Sequence, residues 1–328
     1  MEVLILGAGG IGGYLAARLS EAGIPPRLLV RPPRAARLKA KGLRLTSPLG
    51  DWAGTPKIET DAQNCPPADI VIIACKSYDL DSALDAVAPA MADRTILIPL
   101  LNGVRHMDQI KARFPDNTIW GGVAQIGVRV DPDDTICHFN TSNRFLMGPL
   151  TQTPPDPRVV DMVARLRTGP TQAKICTDIQ QDLWEKLVFL ATLAGMTCLM
   201  RASVGTILAT EYGESFALQL YDECASVASA AGHPPGAEVQ KAHRANLTDR
   251  SSNSTASMLR DILAGSQTEG VHILGDLASR AAAAKLPVPL LQTCLTHLQA
   301  YETTRENALS IYTLSPIAAD VFNICERL

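Results

Sequence analysis

The feature that most constrains this chain is Gly7-Ala8-Gly9-Gly10-Ile11-Gly12, which follows an apolar run over residues 2–6. In a Gly-x-Gly-x-x-Gly spacing between a strand and a helix, each glycine answers a separate need. The first permits a tight turn, the second lets the backbone approach a pyrophosphate, and the third lets the helix pack close to the strand. Ile11, Leu15 and Leu19 then recur at helical spacing up to a stop at Gly23. The N-terminus of such a helix offers unpaired N–H groups and a partial positive charge to an anion. The pattern therefore predicts a βαβ dinucleotide-binding unit in which Gly7, Ala8, Gly9, Gly10, Ile11 and Gly12 cradle the ligand. The alternative is a glycine-rich turn that binds nothing.

The pattern beyond residue 23 extends the same architecture. Arg27 to Arg31 is a second apolar run, stopped by Pro32-Pro33, and residues 69–75 are an unbroken β-branched run suited to a strand covered on both faces. A helix over about 79–91 separates it from a strand over 95–100, and this alternation points to a doubly wound parallel sheet. Residues 118–130, 135–139 and 144–147 read as added edge strands, and 158–166 as a closing helix. From about residue 179 onward nearly everything is helical, with breaks at 232–235, 249–254 and Pro287/Pro289. The chain of 328 residues suits two domains. We expect an α/β Rossmann-type domain over 1–172 and an all-α domain over 173–328.

Composition narrows the partners. Thirty Lys and Arg stand against 33 Asp and Glu, a net charge of −3, which removes the footprint of a general nucleic-acid binder. The longest apolar run, 187–200, falls short of the roughly 18 residues that suggest a bilayer span and reads as a buried helix. No secretory signal is visible, so the expectation is a cytoplasmic protein with a small-molecule partner and neither nucleic acid nor membrane. The eight cysteines lack a Cys-x-x-Cys pair and read as reduced, mostly buried thiols. The six histidines show no ligand spacing, and no metal is expected. Asp222 and Glu223 read as facing solvent or a partner, and the sequence does not choose between a monomer and a homodimer.

Which dinucleotide binds should be decided at the end of the second strand, where NAD sites usually place an acid for the ribose hydroxyls. Between Glu21 and Asp51 there is no acidic residue, and Arg31 stands at the strand end instead. A guanidinium matches a 2′-phosphate, which favours NADP(H) over NAD(H), with Arg34 and Arg37 able to share or replace the role. Lys76 and Asn102-Gly103 follow two further strands, at the sheet edge where ligands of doubly wound folds bind.

Together with Leu183-Trp184-Glu185-Lys186-Leu187, the segment Ser257-Met258-Leu259-Arg260-Asp261 and Gln267-Thr268-Glu269, these residues resemble the ketopantoate reductase (2-dehydropantoate 2-reductase) family over most of the chain. The resemblance implies a Rossmann domain joined to an all-helical domain with the active site in the cleft between them. It implies an NADP-dependent oxidoreductase that reduces ketopantoate to pantoate, a step of pantothenate biosynthesis. By position the general acid falls on Lys186, the active-site glutamate on Glu269, and substrate contacts on Ser257 and Asn102, which also touches the cofactor. Gly127 matches a backbone position near the nicotinamide ribose. An ammonium suits the chemistry, because hydride transfer to a ketone builds negative charge on oxygen that a positioned donor stabilises and then protonates. The alternative for Lys186 is a surface lysine paired with Asp182.

The chain departs from the family where asparagines usually bind the substrate's polar groups: Leu190, Ala194 and Val204 stand there. Offsets of four, seven and eight place Lys186, Leu190, Leu193 and Ala194 on one helical face, so the wall beside the acid is apolar. Thr192 and Thr197 are the nearby hydroxyls that could compensate. The expected substrate is therefore ketopantoate or a related, more apolar 2-keto acid. The competing readings are an NADP-dependent dehydrogenase of other hydroxy or keto acids and a non-catalytic NADPH sensor.

Overall fold

All four side chains of β1 (Val3–Leu6) are buried, and they alternate between two clusters: Val3 and Ile5 enter one, Leu4 and Leu6 the other. Successive strand residues point to opposite faces, so a strand apolar throughout must be covered on both sides. The computed structural model, which describes residues 1–314, shows that cover. The chain divides into two compact units, Met1–Lys186 and a second that begins at Leu187.

In the first unit β1 leads into α1 (Gly10–Glu21), followed by β2 (Arg27–Leu29), α2 (Pro32–Lys41), β3 (Leu43–Thr46), β4 (Trp52–Gly54) and β5 (Lys57–Glu59). Next come β6 (Ile70–Ile73), α3 (Leu80–Val87), β7 (Ile96–Pro99), α4 (Arg105–Arg113), β8 (Thr118–Val130), β9 (Ile136–Pro149), α5 (Pro157–Leu166) and β10 (Gln172–Ile175). The sheet order is β4-β3-β9-β8-β7-β6-β1-β2-β5, with β10 added to β9. Strands β5, β2, β1, β6, β7 and β8 run parallel, and β8 pairs antiparallel with β9. The α/β class is as expected, but β8 and β9, read as strands added at the edge, lie inside the sheet, because β3 and β4 continue it beyond β9. The runs read as two strands over 135–139 and 144–147 are one continuous strand, β9, because its partner β8 is long enough to pair with it on both sides of an irregularity at Ile126/Val128.

Helix α2 was not anticipated. Pro32 and Pro33 do stop β2, but they then occupy the first helical positions, where a missing N–H costs nothing and the fixed φ suits a helix. The turn between β8 and β9 ties this helix down. Asp134, at φ 74°, takes Arg34 and Arg37 at 2.8 Å and Lys41 at 2.9 Å, while Asp133 takes Arg44 at 2.9 Å. The hydrogen bond from Lys41, backed by the facing guanidinium groups, holds the Asp134 carboxyl below the usual carboxylate range.

Helix α6 (Ile179–Met200) follows β10 and carries the chain into the second unit. The apolar run over 187–200 is thus part of a longer helix that could cross a bilayer by length and composition alone. Yet 61% of its most apolar stretch is buried within the fold. The second unit continues as α7 (Val204–Leu208), α8 (Gly213–Ala230), α9 (Ala237–Leu247) and α10 (Ser257–Leu263). A π-helical turn over Val271–Gly275, α11 (Asp276–Ala283) and α12 (Pro289–Leu314) complete it. Glu223 does not face solvent. Its carboxylate accepts the N–H groups of Leu290 at 3.1 Å and Leu291 at 2.8 Å, capping the N-terminus of α12, while Asp222 pairs with Arg244. Among the described residues seven cysteines are reduced thiols, four of them buried; Cys325 lies outside the described residues.

Candidate active site

The glycine loop has the geometry its spacing demands. Gly7 adopts φ +97°, and a Cβ on it would lie 3.1 Å from the Ala74 carbonyl oxygen. A Cβ on Gly12 would lie 2.0 Å from the Gly7 carbonyl oxygen, so only glycine lets α1 begin this close to β1. Gly9 is different: nothing stands within 4 Å of where its Cβ would be. That open space lies at the head of a helix whose N-cap, Gly9, gives no side-chain cap and whose first turn holds no acid. Exposed Gly9 with half-buried Gly10 and Ile11 therefore leaves backbone N–H donors facing room for an anion, and the loop fits a dinucleotide pyrophosphate. Buried Ala8 offers its carbonyl to Arg34 Nε at 3.1 Å, which fixes the loop to α2.

The topology gathers the neighbouring candidates. Arg31 follows β2 and caps α2, Lys76 follows β6, and Asn102 follows β7, so with the glycine loop they share the carboxyl edge of four adjacent strands in the order β7-β6-β1-β2. Gly103, at φ +88°, turns the chain beside Asn102. Of the three arginines weighed for the ribose end, Arg34 and Arg37 are committed to Asp134. Arg31 is the one whose side chain stays open, at 76% exposure. Its guanidinium meets a carboxylate that sequence reading did not find: Nη2 donates to Asp79 Oδ2. No local signal could have revealed Asp79, which lies 48 residues away and reaches Arg31 because β6 and β2 flank β1 in the sheet.

Gly127 sits at a bulge of β8, between Ile126 and Val128, and its N–H donates to Asn140 Oδ1 at 3.1 Å. A Cβ there would lie 2.6 Å from the Asn140 side-chain nitrogen, and the adjoining Val128 packs on Gly10, so the bulge borders the glycine loop.

Lys186 lies on α6 and is half-buried. The burial pattern of that helix separates two faces. Lys186, Phe189, Leu190 and Leu193 are partly accessible, whereas Leu187, Val188, Ala191, Thr192 and residues 194–198 are buried. The lysine thus shares its open face with large apolar side chains. Neither threonine restores polarity there: Thr192 Oγ1 donates to the Val188 carbonyl at 2.8 Å, and Thr197 Oγ1 to the Leu193 carbonyl at 2.6 Å. Ala194 and Val204 are buried, each at 1% exposure. One turn before Lys186, burial raises the Asp182 carboxyl above its ordinary range, with Cys176 donating to it.

In the second unit half-buried Ser257 opens α10, after Ala256, whose N–H donates to Thr197 Oγ1 at 3.3 Å. Glu269 is 6% exposed, and its carbonyl accepts the Ile273 N–H at 3.0 Å as the π-helical turn begins. The segment before it is held by α12: Thr268 N–H donates to Glu302 at 2.6 Å and Tyr301 OH to the Ser266 carbonyl at 2.8 Å. A buried carboxylate on an anchored loop can accept a hydrogen bond from a substrate hydroxyl without reorganising.

Comparison with known proteins matches the chain to the family described as "Ketopantoate reductase PanE/ApbA" over residues 3–152, and to its C-terminal counterpart over residues 178–302. It is 34% identical over 305 residues to the "Uncharacterized oxidoreductase YkpB" of Bacillus subtilis, covering 93% of this chain and all of that one. Among solved structures, a PanE/ApbA family ketopantoate reductase from Ralstonia eutropha superposes with a TM-score of 0.84 at 23% identity, over 93% of this chain and 100% of its own. A D-mandelate dehydrogenase, solved with NADH and anilino(oxo)acetate, does so with a TM-score of 0.83 at 18% identity and the same coverage.

Proposed function

The chain belongs to the ketopantoate reductase family, whose members are oxidoreductases, and from that premise we propose that it reduces a small 2-keto acid to the 2-hydroxy acid with NADPH. When bound, the dinucleotide supplies the hydride that adds to the carbonyl carbon. Gly7, Ala8, Gly9, Gly10, Ile11 and Gly12 hold the pyrophosphate, Arg31 with Lys76 the ribose end, and Asn102 and Gly127 the nicotinamide side. The cofactor falls to the α/β part of the chain and the catalytic acid to α6, the helix that carries the chain into the helical unit, in a cytoplasmic enzyme.

Lys186 is the proton donor in this reading. As negative charge grows on the carbonyl oxygen, the ammonium stabilises it and passes a proton from Nζ, then regains one from water. Ser257 and Glu269 orient the substrate through its carboxylate and its hydroxyl. Ketopantoate is the family's reference substrate, and a more apolar 2-keto acid is the better fit for this chain. The observation that carries this is the open face of α6, where Lys186 is flanked by Phe189, Leu190 and Leu193 with both nearby threonine hydroxyls already used. A helical face that offers no partner for a substrate hydroxyl loses the discrimination such a partner would give a hydroxylated acid over an apolar one. That the same fold serves a D-mandelate dehydrogenase accords with this.

The test is NADPH oxidation over a panel running from ketopantoate to branched and aryl 2-keto acids. The expected order places branched or aryl acids above ketopantoate. A kcat/KM for ketopantoate above roughly 10⁴ M⁻¹s⁻¹ and higher than for every apolar acid would overturn the substrate preference. Cofactor binding without turnover of any acid would overturn the enzymatic reading in favour of a sensor.

A further inference from the structure

No carboxylate follows β2 in sequence before Asp51, yet one stands at the end of β2 in the folded protein. Asp79, from the short helical turn after β6, accepts a hydrogen bond from Arg31 Nη2. Because β1 lies between β2 and β6, this pair closes over the carboxyl end of β1, where the glycine loop starts. The Asp79 side chain is 23% exposed against 76% for Arg31, so the acid is the better-held partner. Its turn is fixed by backbone, with the Asp79 N–H donating to the Lys76 carbonyl at 3.0 Å and its carbonyl accepting from Ser82 Oγ at 2.9 Å.

We propose that Asp79 is a cofactor-selecting residue, which competes with a 2′-phosphate for the Arg31 guanidinium and offers a carboxylate to a 2′-hydroxyl, so that NADH is accepted alongside NADPH. This rests on the reading that Arg31 faces the adenosine ribose. A guanidinium binds phosphate best through two parallel donors, and Asp79 occupies one of them. A phosphate that shares Arg31 with Asp79 brings two charges to within about 5 Å of a like charge, which at the dielectric of bulk water weakens binding by roughly a factor of ten. A ribose hydroxyl meets no such repulsion and finds in Asp79 the acceptor that NAD sites usually take from the second strand.

The experiment is a titration of NADPH and NADH, followed by nicotinamide fluorescence and by calorimetry, on wild type, Asp79→Asn, Arg31→Ala and the double variant, with melting temperatures confirming that each folds. Asparagine keeps the size and a hydrogen bond but removes the charge. Asp79→Asn is expected to raise the ratio of the NADH to the NADPH dissociation constant about tenfold, and the rise is expected to be smaller in the Arg31→Ala background, where no guanidinium is left to compete for. An unchanged ratio in Asp79→Asn, with Arg31→Ala still lowering it, overturns the role of Asp79 alone. An Arg31→Ala protein with the wild-type ratio overturns the placement of Arg31 at the ribose, and the selection by Asp79 with it.

Discussion

Gly9 and Gly12 lie three residues apart in the same loop, and alanine at each should produce opposite kinds of damage. At Gly12 the new methyl would sit 2.0 Å from the Gly7 carbonyl oxygen, against an ordinary carbon–oxygen contact of roughly 3.2 Å. Relief requires the start of α1 to move away from β1 by about an ångström, and overpacking of this kind typically costs about 1–3 kcal/mol. The blocking atom is backbone, so we place Gly12→Ala at the upper end, about 3 kcal/mol less stable, with dinucleotide affinity reduced as well because the helix head has shifted. At Gly9 the backbone, at φ −78° and ψ −159°, is open to any residue, and no atom lies within 4 Å of the new methyl. Stability should therefore stay within about 0.5 kcal/mol of wild type. The methyl instead fills the space through which a pyrophosphate approaches the first-turn N–H groups, and the loss of one or two such charge-assisted bonds predicts about 10- to 100-fold weaker NADPH binding. The assay pairs urea unfolding, followed by the tryptophan emission of Trp52, Trp120 and Trp184, all in the first unit, with an NADPH fluorescence titration. If Gly9→Ala binds NADPH like wild type, the loop does not hold the pyrophosphate; if Gly12→Ala unfolds like wild type, the close helix–strand approach described above is wrong.

Lys186→Ala should lower kcat on the best keto acid by about 10²- to 10⁴-fold while leaving the NADPH dissociation constant within twofold, and full retention of activity would remove Lys186 as the proton donor. Leu190→Asn should shift the ratio of kcat/KM for ketopantoate over an apolar keto acid by about tenfold or more toward ketopantoate; no shift in steady-state assays would separate that helical face from substrate choice. The raised Asp182 carboxyl means that its favourable contribution is complete below its unfolded pKa of about 3.9 and is lost as pH rises through the higher folded value. Asp182→Asn should accordingly raise the melting temperature relative to wild type at pH 7 and hardly at all at pH 3.5; equal shifts at both would contradict the burial argument. Burial pushes the thiols of Cys176, Cys198, Cys224 and Cys294 up to about 12, so iodoacetamide at pH 8 should spare all four in the native protein and label them on unfolding, as read by peptide mass spectrometry.

The parts of the fold legible in the sequence are those governed by local periodicity and by glycine. The unbroken apolar runs of β1 and β6 can be satisfied only between two layers, and the spacing of Gly7, Gly9 and Gly12 has few other uses. What escaped reading was decided by chain segments far apart. The continuity of β9 depends on the length of β8, and α2 was concealed by prolines that end a strand and open a helix with the same two residues. The three-residue strands β4 and β5 are too short to carry a period. At the candidate site, Arg31 was visible but its carboxylate was not, because the nearest acids in sequence are not the nearest in space. Glu223 likewise reads as a surface acid on α8 and becomes a helix cap only once α12 folds back onto it.

One seat in the sheet has a consequence for how the proposed acid tolerates change. Gly121 of β8 and Gly148 of β9 are direct partners across the strands, and α6 starts on top of them. A Cβ on Gly121 would lie 2.7 Å from Ile179 and 3.1 Å from Leu183, and one on Gly148 would lie 2.4 Å from the Cys176 carbonyl oxygen. The height of the lysine-bearing helix above the sheet is therefore set by a clearance smaller than one methyl group. In a saturation screen these two positions should behave as if they were reactive residues, with even the mildest replacement at either one blunting turnover, although neither carries a single atom of functional chemistry.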